Sequence, residues 1–210
     1  MPPQINFSKE QILNEAFEIV RKEGLEVLSA RRIVQNLKCS THPIYRAFQS
    51  MKDLEAAVIE KAKKYAMTYL LQGDDTQEPF LNIGLQYFRF AQEEKELFKL
   101  LYMSGRIEVD FENMGTPFEA LLERMRQDSH LQGLSDASLK RIGTNMWIYT
   151  HGLITLTYGA SFENAEEFVH NHLRQMGRTI IEWEHYKSRG GANIPFCEEG
   201  FHLEKGEKSC

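Results

Sequence analysis

The chain has 210 residues, 42% hydrophobic and 26% charged, with 25 Lys and Arg against 30 Asp and Glu for a formal net charge of −5. This is globular composition, and it excludes a disordered, collagen-like or disulfide-scaffold protein. Taken whole, the acidic balance argues against nucleic acid. The charge is unevenly spread, however: residues 1–64 hold 11 Lys and Arg against 8 Asp and Glu, and the remainder 14 against 22. A basic part joined to an acidic one is a hint of nucleic-acid contact by the basic part. Cys39, Cys197 and Cys210 are too few and too scattered for a disulfide framework, and the opening MPPQINFSKEQ lacks the apolar core of a signal peptide. The expected location is therefore reducing and cytoplasmic.

Helical periodicity recurs along the chain, and no segment shows sustained strand-like alternation. Ser8, with Gln11 three residues on, predicts a capping box for a first helix that turns Ile12, Leu13, Ala16, Phe17, Ile19 and Val20 inward and stops at Gly24. Ser29 caps a second helix from about Ala30 to Leu37, with Ile33, Val34 and Leu37 inward. Ser40 caps a third from about Thr41 to Phe48, with Pro43 tolerated in its first turn and Ile44 and Phe48 buried. Ser50 caps a fourth, long helix through Leu54, Ala57, Val58 and Ala62 to about Leu71, and a hinge falls within or near it, before Gly73-Asp74-Asp75. Further helices follow at about 78–92, 95–103, 117–126, 135–158 and 164–188, the last with Asn164 as cap and Glu167 as its partner, and Gly190-Gly191 ends it. From Ile142 to Phe162 no residue carries a formal charge, but six Thr, Asn and His residues and three glycines suit a helix buried in protein better than one facing lipid. No membrane association is expected.

The second and third helices have the dimensions of a helix-turn-helix. To enter a major groove, the second of the pair needs small or hydrogen-bonding side chains in its first turn, where its N–H groups face phosphate. Thr41 and His42 stand there, while Arg31, Arg32, Arg46 and Lys52 lie near enough in sequence for flanking phosphates, and Tyr45 carries an O–H for one. His42 also reads as an ordinary exposed histidine, Tyr45 and Phe48 as core aromatics, for Phe48 the preferred reading, and Cys39 as a small hydrophobe in the turn.

The run from Ile12 through Gly24, Leu28-Ser-Ala-Arg-Arg and Ser40-x3-Ile44-Tyr45-x2-Phe48 to Leu54 resembles the N-terminal domain of the TetR/AcrR family of bacterial transcriptional regulators. By that resemblance Thr41, His42 and Tyr45 match recognition-helix positions that touch DNA, and Arg31 matches a second-helix position that reaches a base or phosphate. There are two departures. Lys38 stands in the turn where the family usually has Gly, so a residue with a Cβ must hold a positive φ. Met51 stands where the family usually has a phosphate-contacting Lys, and Lys52 follows one place later.

Farther on, Trp147-x3-His151-Gly152 looks like the signature of a C-terminal domain found in some TetR-like regulators. The resemblance implies an all-α chain: a helix-turn-helix domain over 1–52, a linking helix over 51–71, and a helical effector-binding and dimerisation domain over 72–190. Residues 191–210 read as a mobile tail. It implies a homodimer through the last two long helices, a palindromic operator in double-stranded DNA, and release from it by a small-molecule effector. Phe88, Tyr102, Phe118, Met146, Trp147 and His151 are the candidate pocket residues, since Met and aromatics together adapt to hydrophobic ligands. His151 reads equally as a buried, hydrogen-bonded histidine.

No Ser/His/Asp, Cys/His or metal-ligand grouping has supportive spacing, so neither an enzyme nor a metal or cofactor site is expected. Cys197, His202 and Cys210 lack paired ligand spacing, and His170 and His172 do not share a helix face. The alternative reading is a helical ligand-binding or adaptor protein that has lost DNA binding, which Lys38, Met51 and the modest positive charge of the first third keep open.

Overall fold

The computed structural model describes residues 7–73, 78–105, 115–157 and 164–191, without the side chains of 115–118. They form α1 (Lys9–Glu23), α2 (Ala30–Leu37), α3 (His42–Ala47), α4 (Met51–Leu71), α5 (Pro79–Glu93), α6 (Lys95–Phe98), α7 (Gly115–Arg126), α8 (Asp136–Thr157) and α9 (Ala165–Ser188). There is no strand among the described residues, and the fold is all-α. The expected tail, the Gly73-Asp74-Asp75 break after Gly73, and the end of the uncharged stretch past Thr157 lie outside the described residues.

Local chemistry sets the N-terminal helices. The Gln11 N–H donates to Ser8 Oγ at 3.1 Å and the Ser8 N–H to Gln11 Oε1 at 2.8 Å, closing the capping box of α1. Ser29 and Ser50 accept the Arg32 and Asp53 N–H groups, each at 3.2 Å, at the starts of α2 and α4. At α3 the cap differs from expectation. The helix starts at His42 with Thr41 as its flanking residue, and no side chain caps it. Thr41 already has helical dihedrals (φ −75°, ψ −14°), so Ser40 lies one residue too far back to reach the first free N–H groups. Asn164 likewise marks the start of α9 without capping it, because it sits in the left-handed region (φ 65°, ψ 32°) and its side chain accepts no N–H.

Between α2 and α3 the chain turns at Lys38, in the left-handed region at φ 53° and ψ 45°, as the tight turn demands. A Cβ there costs about 1–2 kcal/mol, partly offset in Gly by its looser unfolded chain. Lys38→Gly is expected to stabilise the protein by about 0.5–1 kcal/mol, read as a higher urea midpoint at unchanged slope. A lowered midpoint would refute the strain.

One hydrophobic core runs the length of the molecule. At its N-terminal end Ile12, Ala16, Ile33, Ile44, Phe48 and Leu54 meet, all buried. α4 carries the core onward on a stripe of Leu54, Val58, Ala62, Ala66 and Leu70, spaced one helical turn apart. α5 is the central rod of the larger part, packed against α4, α7, α8 and α9. Its Gly84 lets α9 come close, since a Cβ there would stand 2.9 Å from Leu173 Cδ1. α6 runs into a π-helical turn, Lys99–Met103. The stretch of α8 beyond Arg141 carries no formal charge, and there Thr150 Oγ1 donates to the Met146 carbonyl at 2.6 Å and Thr157 to that of Leu153 at 2.9 Å. Among the described residues no helix is long and apolar enough to cross a membrane.

Candidate functional site

The short helix α3 presents two different faces. Ile44 and Phe48, one turn apart, are buried against α1 and hold the helix from behind. His42, Tyr45 and Arg46, at i, i+3 and i+4, share the opposite face and are exposed, Tyr45 by 53% of its surface. Arg31, Ser40, Thr41 and Lys52 are also exposed. Arg32 differs: its guanidinium is engaged by Glu23 Oε1 at 2.6 Å, tying α2 to the end of α1. Met51 is half-buried and packs against the core, so its side chain faces away from solvent while Lys52 does not. Cys39 is half-buried in the turn, and burial pushes its thiol pKa up, which suits a small hydrophobe. One contact escaped sequence reading: the Lys9 ammonium lies 4.9 Å from the centre of the Phe48 ring.

The larger part of the molecule holds a partly open cavity of about 430 Å³, lined by α4, α5, α7, α8, α9, the π-helical turn, and Asp128 and His130 between α7 and α8. That is within the ordinary range for a small-molecule site. Tyr102, Met146 and Trp147 line it. Phe88 and His151 do not: Phe88 is buried elsewhere in the core, and His151 stands behind the wall. The Phe118 side chain lies outside the described residues. Lining residues that sequence reading missed include Met67, Gly84, Tyr87, Gly177 and Ile181. The i, i+3 spacing of Gly84 and Tyr87 on α5 is a signal of a shared face but not of a void beside it.

His151 orders the aromatic wall. The Tyr87 hydroxyl and His151 Nδ1 share a hydrogen bond at 3.0 Å, and the Trp147 indole stacks on the imidazole at 5.4 Å and 13°. Burial lowers the His151 pKa, which favours the neutral ring, and burial pushes that of Tyr87 well up, keeping its proton on the hydroxyl. At the other end of α5 the lining is polar. The buried Asp128 carboxylate accepts the Phe80 N–H at 3.1 Å and the His130 N–H at 2.9 Å, and Arg174 pairs with Glu78. Among the described residues no group of three or more His, Cys, Asp or Glu is arranged to hold a metal ion.

Two buried carboxylates tie elements together. Glu94, between α5 and α6, accepts Arg21 Nε from α1 at 2.7 Å and the Tyr65 hydroxyl from α4 at 2.8 Å. Burial and this hydrogen bond push the Tyr65 pKa up to about 12, and the carboxylate raises that of Arg21. Glu184 on α9 accepts Arg141 from α8 at 2.6 Å, and with Lys187 and Ser138 also donating its pKa falls to about 2.

Residues 80–176 match the family described as tetracyclin repressor-like, C-terminal domain. No curated protein matches the sequence. Among solved structures, a TetR-family transcriptional regulator from Streptomyces coelicolor superposes with a TM-score of 0.60 at 16% identity, over 87% of this chain and 84% of that one. A protein of unknown function from Rhodococcus sp. RHA1 superposes with a TM-score of 0.61 at 19% identity, over 85% and 98%. A second Streptomyces coelicolor protein, described as a candidate transcriptional regulator, gives 0.55 at 16%, over 81% and 98%. The chain thus has the fold of TetR-family transcriptional regulators, and its middle portion matches their C-terminal domain family.

Proposed function

We propose that the chain is a ligand-responsive, sequence-specific DNA-binding transcriptional regulator of the TetR family, a repressor released from a palindromic operator by a small-molecule effector. Residues 1–52 form its reading head, α4 the link, and residues 72–190 the effector-binding and dimerising part. The observation that carries the reading is the exposed His42, Tyr45 and Arg46 face of α3, on a short helix clamped from behind by Ile44 and Phe48. Such a helix fits a major groove and presents hydrogen-bonding groups to bases and phosphates. Arg31, Ser40, Thr41 and Lys52 stand around it. Arg32, held by Glu23, acts by fixing α2 unless that pair opens on DNA.

A single short helix reads too few base pairs to be specific, and a two-fold pair reads two half-sites about 34–36 Å or a multiple apart. The pairing surface proposed is the outward face of α8 and α9, where Ile148 and Leu156 are exposed by 53% and 81%. An effector in the cavity favours a conformer whose two heads no longer match that spacing.

The test is a gel shift on the DNA upstream of the chain's own gene, at stated salt. Tyr45→Phe is expected to weaken binding about three- to tenfold by removing one hydrogen bond. Arg46→Ala is expected to weaken it further and lower the salt slope by about 1. Both variants keep their oligomeric state. Unchanged affinity in both sinks the assignment of the reading face, and no salt-sensitive retardation by the parent chain favours a ligand-binding protein without DNA.

A further inference from the structure

We propose that the cavity takes an uncharged, largely apolar molecule carrying a carbonyl or similar acceptor oxygen, and that Tyr102 is the residue that recognises that oxygen. The proposal rests on the reading of the cavity as the effector site and names the chemistry of its ligand.

The lining is segregated along α5. All its carboxylates and guanidinium groups gather at one end: Glu78, Asp128, Arg174, Arg178 and Glu182. The other end holds Tyr87, Tyr102 and Trp147. Phe80 and Tyr87 mark the two ends on one helix, seven residues apart, or about 10 Å. The aromatic end holds no counter-charge, and an ionised group brought there loses its hydration without compensation. A body of stacked or aliphatic carbon suits it.

At that end nearly every polar side-chain atom is spent. The Tyr87 hydroxyl is hydrogen-bonded to His151 Nδ1, the Trp147 side chain hydrogen-bonds Tyr87, and Thr150 bonds its own helix. The Tyr102 hydroxyl is different: it has no hydrogen-bond partner among the described residues. Burial pushes its pKa up to about 12, so at neutral pH it is an O–H and donates. One neutral donor in an apolar chamber selects a ligand acceptor that is itself neutral.

Nor does the charged end draw an ion. Arg174 is paired with Glu78, Asp128 is taken by Phe80 and His130, and Arg178 and Glu182 bring opposite charges one turn apart on α9. A cationic or anionic head meets both signs there, with little net attraction.

The experiment uses the full chain and three probes of one tail length: 2-decanone, decanoate and decylammonium, by calorimetry at pH 7. The ketone is expected to bind at least tenfold more tightly than either ion. Tyr102→Phe is expected to cost the ketone about three- to tenfold, the loss of one hydrogen bond. Gly177→Leu is expected to abolish binding of the ketone, because a Cβ on Gly177 meets only Met146 Cε, at 3.8 Å, and the longer side chain fills the void. Tighter binding of either ion, or an unchanged ketone affinity in Tyr102→Phe, overturns the proposal. So does full binding in Gly177→Leu. Release of operator DNA is scored separately in the same samples. Ketone binding without release supports the ligand assignment and sinks the effector reading.

Discussion

Glu94→Ala is expected to lower the unfolding free energy by about 2–3 kcal/mol. The carboxylate is 6% exposed and receives Arg21 from α1 and the Tyr65 hydroxyl from α4. Removing it leaves a guanidinium and a hydroxyl without their shared acceptor, in addition to a small void. Breaking a buried pair on one side typically costs about 3–5 kcal/mol. The lower figure applies here because Arg21 is about one-third exposed and has Glu18 at 3.6 Å to turn to. Glu94→Gln keeps an acceptor oxygen for both donors and is expected to lose roughly half as much. Urea unfolding of the two variants and the parent separates the outcomes, and equal stability of all three would show that the contact carries nothing. The same carboxylate joins three elements that the proposed mechanism must move together. In the milder variant the effector is therefore expected to shift operator affinity less, in a gel shift with and without ligand.

Ile148→Glu is expected to raise the dimer dissociation constant at least a hundredfold, and with it to abolish operator retention. Ile148 is about half exposed on α8, on the side away from the core of its own chain. A two-fold interface repeats every substitution, so one mutation buries two carboxylates, each costing several kcal/mol when unpaired. A hundredfold change corresponds to about 2.7 kcal/mol, well within that cost. Sedimentation measures the dimer, and circular dichroism checks that the helices persist. A variant that stays dimeric places the interface elsewhere. A monomer that still gives specific retardation would instead remove the need for paired heads.

The helices of the N-terminal part were legible because their ends are chemical. Ser8, Ser29 and Ser50 stand where a free backbone N–H needs an acceptor, and each accepts one. Two of the expected caps failed for one reason. Ser40 and Asn164 have capping side chains, but capping also needs a backbone angle, and a residue's identity does not reveal its φ and ψ. Lys38 shows the converse, since the shortness of the turn forced a positive φ whatever residue stood there. On α3 the residues alone left Tyr45 open as a core aromatic, and it is exposed while Phe48 is buried. The cavity was not legible, because its wall is assembled from many separate segments and depends on which neighbours converge. Phe88 and Tyr87 are adjacent in sequence yet point about 100° apart on the helix, and only one of them meets the void. His151 was legible as a hydrogen-bonded histidine, though it is half-buried and not buried; its partner Tyr87, 64 residues away, was not legible.

α4 contributes side chains both to the core around Phe48 and, through Met67 and Leu70, to the cavity wall. Its 21 residues make a rod about 31 Å long. Such a rod is a lever with unequal arms. A tilt of about 5° at the cavity end, small enough to come from one displaced side chain, carries the far end about 3 Å. In a two-fold pair the opposing displacements add to about 5–6 Å, or more than one and a half base-pair steps along the DNA. An adjustment of packing too small to unfold any helix is thereby enough to put two half-sites out of step.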